Sequence, residues 1–184
     1  MANKTNTEFE TKVTDFNVDE VIQKLKNLGA QETPEMLLKR YVFDMESEDI
    51  EWIRLRVVGE KTFLAYKKKI RGNVTLGKTE EIEVEVSDFD KTAELMKKIP
   101  FKRIFYQENR RHLFVLDAVE YAIDVWPFIP PYMEIEAESE ERVNQALKSL
   151  GLEDKSIGDR DVTEIYADHG YDIHTYKELK FPTE

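Results

Sequence analysis

The stretch EFETKV, residues 8–13, alternates charged side chains with other residues along one short segment. Glu8, Glu10 and Lys12 are each separated by a single residue. Because successive side chains of a β-strand point to opposite faces, this spacing predicts a strand that gathers three charges on one face. Such a face either meets bulk water or lines an enclosed site that needs the charges.

The pattern returns twice along the chain. EFETKVTDFN at 8–17 matches EIEVEVSDFD at 81–90, and a weaker copy, EIEAES, occupies 134–139. Each copy leads into a predicted helix. Lys12 stands where the other two copies carry glutamate, which distinguishes it within the first copy.

Length and composition favour one domain with a buried core. The chain has 184 residues, of which 41% are hydrophobic, and 10 Phe, 8 Tyr and 2 Trp supply bulky side chains for packing. The prediction is a single domain, 1–184. The internal repeat divides it into two similar halves, about 1–78 and 79–184.

Capping residues and sequence periodicity predict a mainly β domain of the α+β class. Apolar stripes between caps predict helices near 18–28, 89–99, 140–150 and 162–169. Segments rich in β-branched and aromatic residues predict strands at 7–14, 37–45, 50–58, 61–70, 79–87, 101–108, 110–117, 119–126 and 131–138. So many strands with few helices favour a closed or nearly closed antiparallel barrel with helices outside.

Several predicted strands carry a charged row, and the sign of the charge differs by strand. The rows are Glu8, Glu10 and Lys12; Arg54 and Arg56; Lys67 and Lys69; Glu81, Glu83 and Glu85; Glu134 and Glu136. An ordinary sheet with one solvated side is the alternative explanation. Segregated signs with few neutral polar residues favour an enclosed face, which binds an anion on one wall and a metal on the other.

Composition disfavours several classes of function. The net charge of −11 disfavours a broad nucleic-acid interface, which needs a positive surface. The absence of cysteine excludes thiolate chemistry, and the three histidines lack a paired ligand spacing. No apolar run approaches the ~18 residues of a membrane span. The expectations are therefore no nucleic acid, no membrane and a cytoplasmic location.

The residue types in the charged rows indicate the chemistry. Clustered carboxylates without histidine or cysteine are hard oxygen ligands suited to Mg²⁺ or Mn²⁺. Clustered arginine and lysine bind phosphate oxygens. With seven glycines and no glycine-rich phosphate loop, the basic side chains themselves would have to hold the phosphates.

These motifs, in this order, resemble the CYTH superfamily, also called triphosphate tunnel metalloenzymes. The family hallmark is an N-terminal E-x-E-x-K, matched here by residues 8–12. The remaining motifs follow in family order and extend to residue 136. They are R-x-R at Arg54 and Arg56, Lys67, E-x-E at Glu81 and Glu83, a late basic strand, Asp124, and a closing E-x-E at Glu134 and Glu136.

The resemblance implies an eight-stranded antiparallel closed barrel, the triphosphate tunnel, with its charged faces inward. It implies metal ligands at Glu8, Glu10, Glu134 and Glu136, with Asp124 serving a second metal or orienting a water. It implies triphosphate binding by Lys12, Arg54, Arg56, Lys67 and Arg111. The candidate catalytic residues are Lys12, Asp124 and Glu10.

Some positions stay open or depart from the family pattern. In the basic strand YQENRRHLF the inward residue is Arg110 or Arg111, with Arg111 slightly preferred. The segment before the closing E-x-E is WPFIPPYM, residues 126–133, without the glycine common there. Further residues that the resemblance allows to line the tunnel are Glu81, Glu83, Lys69, Lys78 and Arg103.

The closing segment, 162–172, is most similar to the class IV adenylate cyclase group, which implies conversion of ATP to cyclic AMP and pyrophosphate. One alternative is a triphosphatase that hydrolyses inorganic triphosphate, a nucleoside triphosphate or thiamine triphosphate. A non-catalytic polyphosphate- or nucleotide-binding module is a further alternative. The expected partner is ATP or inorganic triphosphate. The tail, 155–184, either caps a tunnel mouth or forms a homodimer contact.

Overall fold

A computed structural model describes residues 9–70 and 78–182, and the side chains of residues 69, 70, 78 and 79 fall outside that description. Within these ranges the strands are β1 (Phe9–Val13), β2 (Gln31–Glu32), β3 (Met36–Asp44), β4 (Glu51–Val58), β5 (Lys61–Ile70), β6 (Lys78–Val86), β7 (Arg103–Leu116), β8 (Val119–Val125), β9 (Tyr132–Ala137), β10 (Ser156–Gly158) and β11 (Glu178–Leu179). The helices are α1 (Val18–Asn27), α2 (Phe89–Met96), α3 (Glu140–Leu150) and α4 (Val162–Asp168), with 3-10 turns at Glu153–Lys155 and Ile173–Thr175. The predicted mainly β, α+β class is confirmed.

The chain divides into two compact units. Unit 1 comprises the described residues of Met1–Glu35 and Arg110–Ile165, and unit 2 comprises those of Met36–Asn109 and Tyr166–Glu184. The long strand β7 therefore contributes residues to both. The single domain with two repeat halves stays a prediction. The halves are predicted from the similarity of 8–17 to 81–90, and such similarity does not show where a compact unit begins.

Hydrogen-bonded strand neighbours run in the order β10-β1-β9-β8-β7 in unit 1 and β7-β3-β4-β5-β6 in unit 2. The described pairings are antiparallel except for β11, which runs parallel to β7. Among the described strands, β10 and β6 each have one hydrogen-bonded neighbour. Closure of the barrel by hydrogen bonds is not found there, and the closed barrel stays a prediction.

The core of unit 1 lies between its sheet and helices α1 and α3. Buried side chains of α3, including Val143 and Leu147, pack with Met133 and Ile135 of β9. Helix α3 begins where the Ser139 side chain accepts a hydrogen bond from the Arg142 N–H. It ends at Gly151, whose φ of 68° lies in the left-handed region that glycine adopts without strain. The core therefore covers one sheet face and leaves the other to polar residues.

Helix α2 covers part of the apolar face of unit 2 and leaves Ile82 and Val84 of β6 exposed. Its buried residues Ala93 and Met96 pack against Phe43 of β3 and Leu55 of β4. The helix ends at Met96, three residues before the predicted end. The chain tightens after Met96, since the N–H groups of Lys98 and Ile99 donate to the carbonyls of Leu95 and Met96, three residues back, instead of four.

Two predicted strands, 101–108 and 110–117, form the single strand β7. The prediction placed a break at Asn109, a residue type that favours turns. Asn109 is instead fully buried, and its Oδ1 accepts a hydrogen bond from Arg40 of β3. This hydrogen bond satisfies the buried amide oxygen, and the strand continues through Asn109.

The tail is divided between the two units: residues 155–165 belong to unit 1, where β10 pairs with β1, and its described residues from Tyr166 onward belong to unit 2. Strand β11 pairs with β7, with Glu178 opposite Tyr106, and the His174 ring lies 5.4 Å from that of Phe105.

None of the helices in the described ranges is long and apolar enough to cross a membrane.

Candidate active site

The charged residues of unit 1 share one sheet face because the strand register places them opposite one another. Lys12 of β1 lies opposite Glu134 of β9, and Glu10 lies opposite Glu136. Their neighbour Val13 is fully buried in the core on the other face. The alternation in residues 8–13 thus separates a charged face from an apolar one.

Three carboxylates come together on this face. Glu10, Glu134 and Glu136 each offer an oxygen, and the three oxygens lie within 4.8 Å of one another. Carboxylates this close repel one another unless a cation reduces the repulsion. All three are partly shielded from solvent. Glu8 lies outside the described residues, so its role as a ligand stays a prediction.

Lys12 supplies a positive charge to the cluster. Its Nζ lies 3.1 Å from Glu10 Oε1 and 3.3 Å from Glu134 Oε2, and its side chain is only 7% exposed. Burial lowers the pKa of Lys12, but the carboxylates of Glu134 and Glu10 outweigh burial and raise it above the ordinary value. Lys12 therefore stays protonated at neutral pH, which suits it to stabilise anionic oxygens and not to accept a proton.

Arg111 and Asp124 form a two-pronged ion pair beside this cluster. Arg111 Nε donates to Asp124 Oδ1 at 2.8 Å, and Arg111 Nη2 donates to Oδ2 at 2.6 Å. The same Nη2 lies 3.2 Å from Glu134 Oε1. Arg111 lies opposite Asp124 in the register, whereas Arg110 lies opposite Val125 and is exposed. The register thus places the preferred arginine on the charged face.

Asp124 is 1% exposed and is not part of the described three-carboxylate group. Both of its oxygens accept hydrogen bonds from the guanidinium of Arg111. This geometry favours a role in orienting Arg111 toward Glu134. Its predicted part in metal binding remains a prediction.

We predict that acidification removes a stabilising contribution of Glu134. Burial raises the pKa of Glu134, but Arg111 and Lys12 outweigh burial and hold it below the ordinary value of 4.5. A carboxyl whose pKa is lowered by folding stabilises the protein above its unfolded pKa, and the contribution disappears as the pH falls through the folded pKa. Glu134→Gln should therefore cost roughly 3 kcal/mol of unfolding free energy near neutral pH and progressively less in acid.

Urea unfolding of the wild type and Glu134→Gln, measured across the acidic range, checks this expectation. The difference in unfolding free energy between the two proteins should narrow once the pH falls below about 4.5. A difference that stays constant from neutral pH into this range would contradict it.

Unit 2 carries a basic row on adjacent strands. Arg54 Nη2 lies 3.1 Å from Glu81 Oε1, and Arg56 Nη2 lies 3.0 Å from Glu83 Oε2. Lys67 Nζ lies 3.1 Å from Glu81 Oε2. Acidic residues of β6 thus hold the cations of β4 and β5. The structure places all five predicted residues in one network.

Positive charge is crowded in this row. Burial and the neighbouring guanidinium of Arg56 lower the pKa of Arg54 to about 10, with a further contribution from Arg40, against the opposing effects of Glu81 and Glu83. Burial and Arg54 lower the pKa of Lys67 in the same way. A bound anion would relieve this repulsion.

Two donors in the row are buried without an acceptor. The Nε atoms of Arg54 and Arg56 have no hydrogen-bond partner within the part of the chain that the structure describes. Buried polar groups are usually satisfied, so such donors indicate a ligand or solvent that supplies acceptors. Phosphate oxygens match guanidinium donors in geometry and charge.

Sequence reasoning missed Arg40 of β3. The register places Arg40 opposite Arg56, on the same face as the basic row. The sequence around Arg40 does not alternate charged and uncharged residues, because the preceding residue, Lys39, is also positively charged. The pairing of β3 with β4, which the sequence does not display, is the signal that identifies Arg40.

The remaining predicted residues lie elsewhere or are only partly described. Arg103 lies 2.8 Å from Asp44 through its Nη2 and against the ring of Phe105, and its side chain is 45% exposed. The backbones of Lys69 and Lys78 lie on β5 and β6, but their side chains fall outside the described part. Their predicted place in a tunnel stays a prediction.

A known family matches the chain over most of its length. The CYTH domain model matches residues 4–162. Among the curated proteins, none matches the chain significantly. The matched range includes the carboxylate group and the basic row and ends before the part of unit 2 that begins at Tyr166.

Solved structures share the fold at low sequence identity. A conserved hypothetical protein from Pyrococcus furiosus is 22% identical, with a TM-score of 0.70 over 86% of this chain and 99% of that one. A candidate adenylate cyclase from Vibrio parahaemolyticus is 14% identical, with a TM-score of 0.66 over 87% and 97%. A candidate adenylyl cyclase from Hippeastrum, described as having a dominant triphosphatase activity, is 16% identical, with a TM-score of 0.50 over 79% and 87%. At these identities the likeness establishes the fold alone.

Proposed function

The chain belongs to the CYTH family, and from this premise we propose that it is a divalent-metal-dependent enzyme that acts on a triphosphate. The observation that carries the proposal is the group of three carboxylates beside the buried, protonated Lys12. The basic row of unit 2, with its two unsatisfied guanidinium donors, supports the triphosphate as ligand.

The donors of unit 1 fit a hard divalent cation. Glu10, Glu134 and Glu136 offer only carboxylate oxygens, which suit Mg²⁺ or Mn²⁺. The chain has no cysteine to favour a softer metal. When bound, such an ion polarises phosphoryl oxygens and offsets negative charge that develops on them.

The chain's own residues would bind and orient the substrate. Arg54 and Arg56 present forked donors that match phosphate oxygens, and Lys67 adds a point charge. Glu81 and Glu83 hold these side chains in place before an anion arrives. Positioning and charge stabilisation of this kind supply most of the rate enhancement in phosphoryl transfer.

Lys12 would stabilise negative charge at the reacting phosphate. Its raised pKa keeps it protonated, so a proton released by the attacking oxygen must go to another group. Of the two carboxylates that contact Lys12, Glu10 is the more accessible, with 42% of its side chain exposed against 16% for Glu134. We assign Glu10 as the residue best placed to accept that proton.

Two reactions fit these residues, and the class IV adenylate cyclase reaction is the first. In that reaction the ribose 3′-oxygen of ATP attacks the α-phosphorus, pyrophosphate leaves, and cyclic AMP forms. In the alternative, water attacks the terminal phosphorus and releases orthophosphate. The Hippeastrum neighbour, with its dominant triphosphatase activity, favours keeping hydrolysis as the second candidate. A non-catalytic polyphosphate-binding module would bind these compounds without converting them.

Product analysis separates the three candidates. ATP, GTP, thiamine triphosphate and inorganic triphosphate are incubated separately with the protein and Mg²⁺ or Mn²⁺, and the products are resolved by chromatography. Cyclic AMP with pyrophosphate identifies the cyclase. Orthophosphate with a diphosphate identifies the hydrolase. Binding without conversion of any of the four identifies the non-catalytic module and overturns the proposal.

A further inference from the structure

Arg40 of β3 extends the basic row of unit 2 onto a third strand. It lies opposite Arg56 in the β3–β4 register, and residues directly opposite each other in a sheet share a face. Its charge reaches the row, because it contributes to lowering the pKa of Arg54. Arg40 therefore belongs to the same electrostatic environment as the predicted phosphate-binding residues.

Asn109 holds the Arg40 side chain in place. The Arg40 Nη2 donates to Asn109 Oδ1, and Asn109 is fully buried in β7. Asparagine is disfavoured in strands, and burying its amide costs free energy unless it is hydrogen-bonded. A buried asparagine in the middle of a long strand is thus explained by the guanidinium that it orients.

Four positively charged side chains lie together in this row. Its cations are Arg40, Arg54, Arg56 and Lys67, and the carboxylates that the structure pairs with them are Glu81 and Glu83. Each additional like charge costs free energy in a partly buried cluster. Arg40, opposite Arg56, adds a like charge to the row, and a polyanionic ligand would offset the resulting repulsion.

We propose that Arg40 binds the phosphate chain of the substrate and that Asn109 is the positioning residue that aims its guanidinium. This inference rests on the proposed function, because the anion is the triphosphate. The inference adds two residues to those in the family motifs. Arg40 of β3 binds phosphate, and the neutral side chain of Asn109 acts through Arg40.

Binding of inorganic triphosphate tests the proposal. Calorimetric titration in metal-free buffer measures the dissociation constant without turnover. Arg40→Gln should weaken binding about 10-fold or more, because a charge-assisted hydrogen bond to phosphate is lost. The matched control is Lys39→Gln, which removes the same charge from the adjacent, exposed residue whose side chain points to the opposite face. It should change the dissociation constant by less than about 2-fold, because solvent and salt screen an exposed charge.

A double-mutant cycle tests the positioning role. Asn109→Ala should weaken binding in the wild-type background, because Arg40 loses its orienting acceptor. In the Arg40→Gln background the same change should have no further effect, since Asn109 acts through Arg40. An equal additional loss in both backgrounds would overturn the positioning role. If Asn109→Ala does not fold, Arg40→Lys replaces it. This variant keeps the positive charge but lacks the paired donors of the guanidinium, so it should weaken binding by an intermediate factor.

The outcomes distinguish this inference from the proposed function. If the wild type binds triphosphate and Arg40→Gln behaves like Lys39→Gln, the inference fails, and the product analysis described above still decides the proposed function. If the wild type does not bind triphosphate in metal-free buffer or with Mg²⁺, both fail. Selective loss of binding in Arg40→Gln supports the inference.

Discussion

The Glu136→Gln protein should lose metal-dependent turnover of triphosphates by about 100-fold or more, because an amide cannot replace a charged oxygen ligand. Glu136 is the member of the three-carboxylate group that lies opposite Glu10 across β1 and β9. Gln preserves the size of the side chain and removes only its charge. Initial rates with saturating Mg²⁺ or Mn²⁺ measure the loss.

The fold should survive this substitution. Glu10, Glu134 and Glu136 place three negative charges within 4.8 Å of one another beside Lys12 and Arg111, so removing the charge of Glu136 relieves repulsion. We expect the metal-free Glu136→Gln protein to be at least as stable as the wild type. The control is Glu138→Gln, which removes the same charge just beyond β9 from a side chain that is 74% exposed and paired with Arg142. Turnover near the wild-type rate in Glu136→Gln would show that this carboxylate is not needed for the reaction.

Replacing Lys12 by Met should reduce both stability and turnover. The ammonium lies within 3.3 Å of oxygens on Glu10 and Glu134, and its side chain is 7% exposed. Met fills a similar volume but removes the ammonium from Glu10 and leaves Glu134 with Arg111. Removing one partner of a buried ion pair costs roughly 3 kcal/mol, and losing a charge aimed at the reacting phosphate should cost about 100-fold in turnover.

Urea unfolding in the presence of a chelator measures the stability loss without interference from metal. The matched control is Lys26→Met, which breaks an ion pair with Glu32 in which the side chains are 45% and 38% exposed. Exposed pairs contribute at most about 1 kcal/mol, so the control should be nearly as stable as the wild type. If the two Lys→Met variants lose equal stability, Lys12 does not neutralise the carboxylates as described.

Alternation in the sequence predicts the charged faces because a strand has a period of two. The alternation places Lys12 beside Glu10, and Arg54 and Arg56 in one row, as the structure has them. These predictions need only the rule that residues two apart in a strand share a face. The alternation of side chains along one strand does not reveal which strands are neighbours in the sheet. The pairing of Lys12 with Glu134 and the network of Arg54 with Glu81 therefore required the structure.

Register explains what the sequence left open or missed. The choice between Arg110 and Arg111 depends on which one lies opposite Asp124, and Arg40 emerges only because β3 pairs with β4. The break between the predicted strands 101–108 and 110–117 is absent, and the partner of Asn109, Arg40, is distant in sequence and so not visible from local pattern. The short strands β2, β10 and β11, with two or three residues each, are below the length at which periodicity can be detected.

Turnover with and without divalent metal tests the central claim most directly. Purified protein is incubated with ATP and with inorganic triphosphate, in parallel with Mg²⁺, with Mn²⁺ and with an excess of chelator, and the release of orthophosphate and pyrophosphate is measured over time. A metal-dependent triphosphate enzyme should release one of these products from at least one substrate with added metal and none with chelator. No release with either metal, or release that persists unchanged in chelator, would contradict the proposed function.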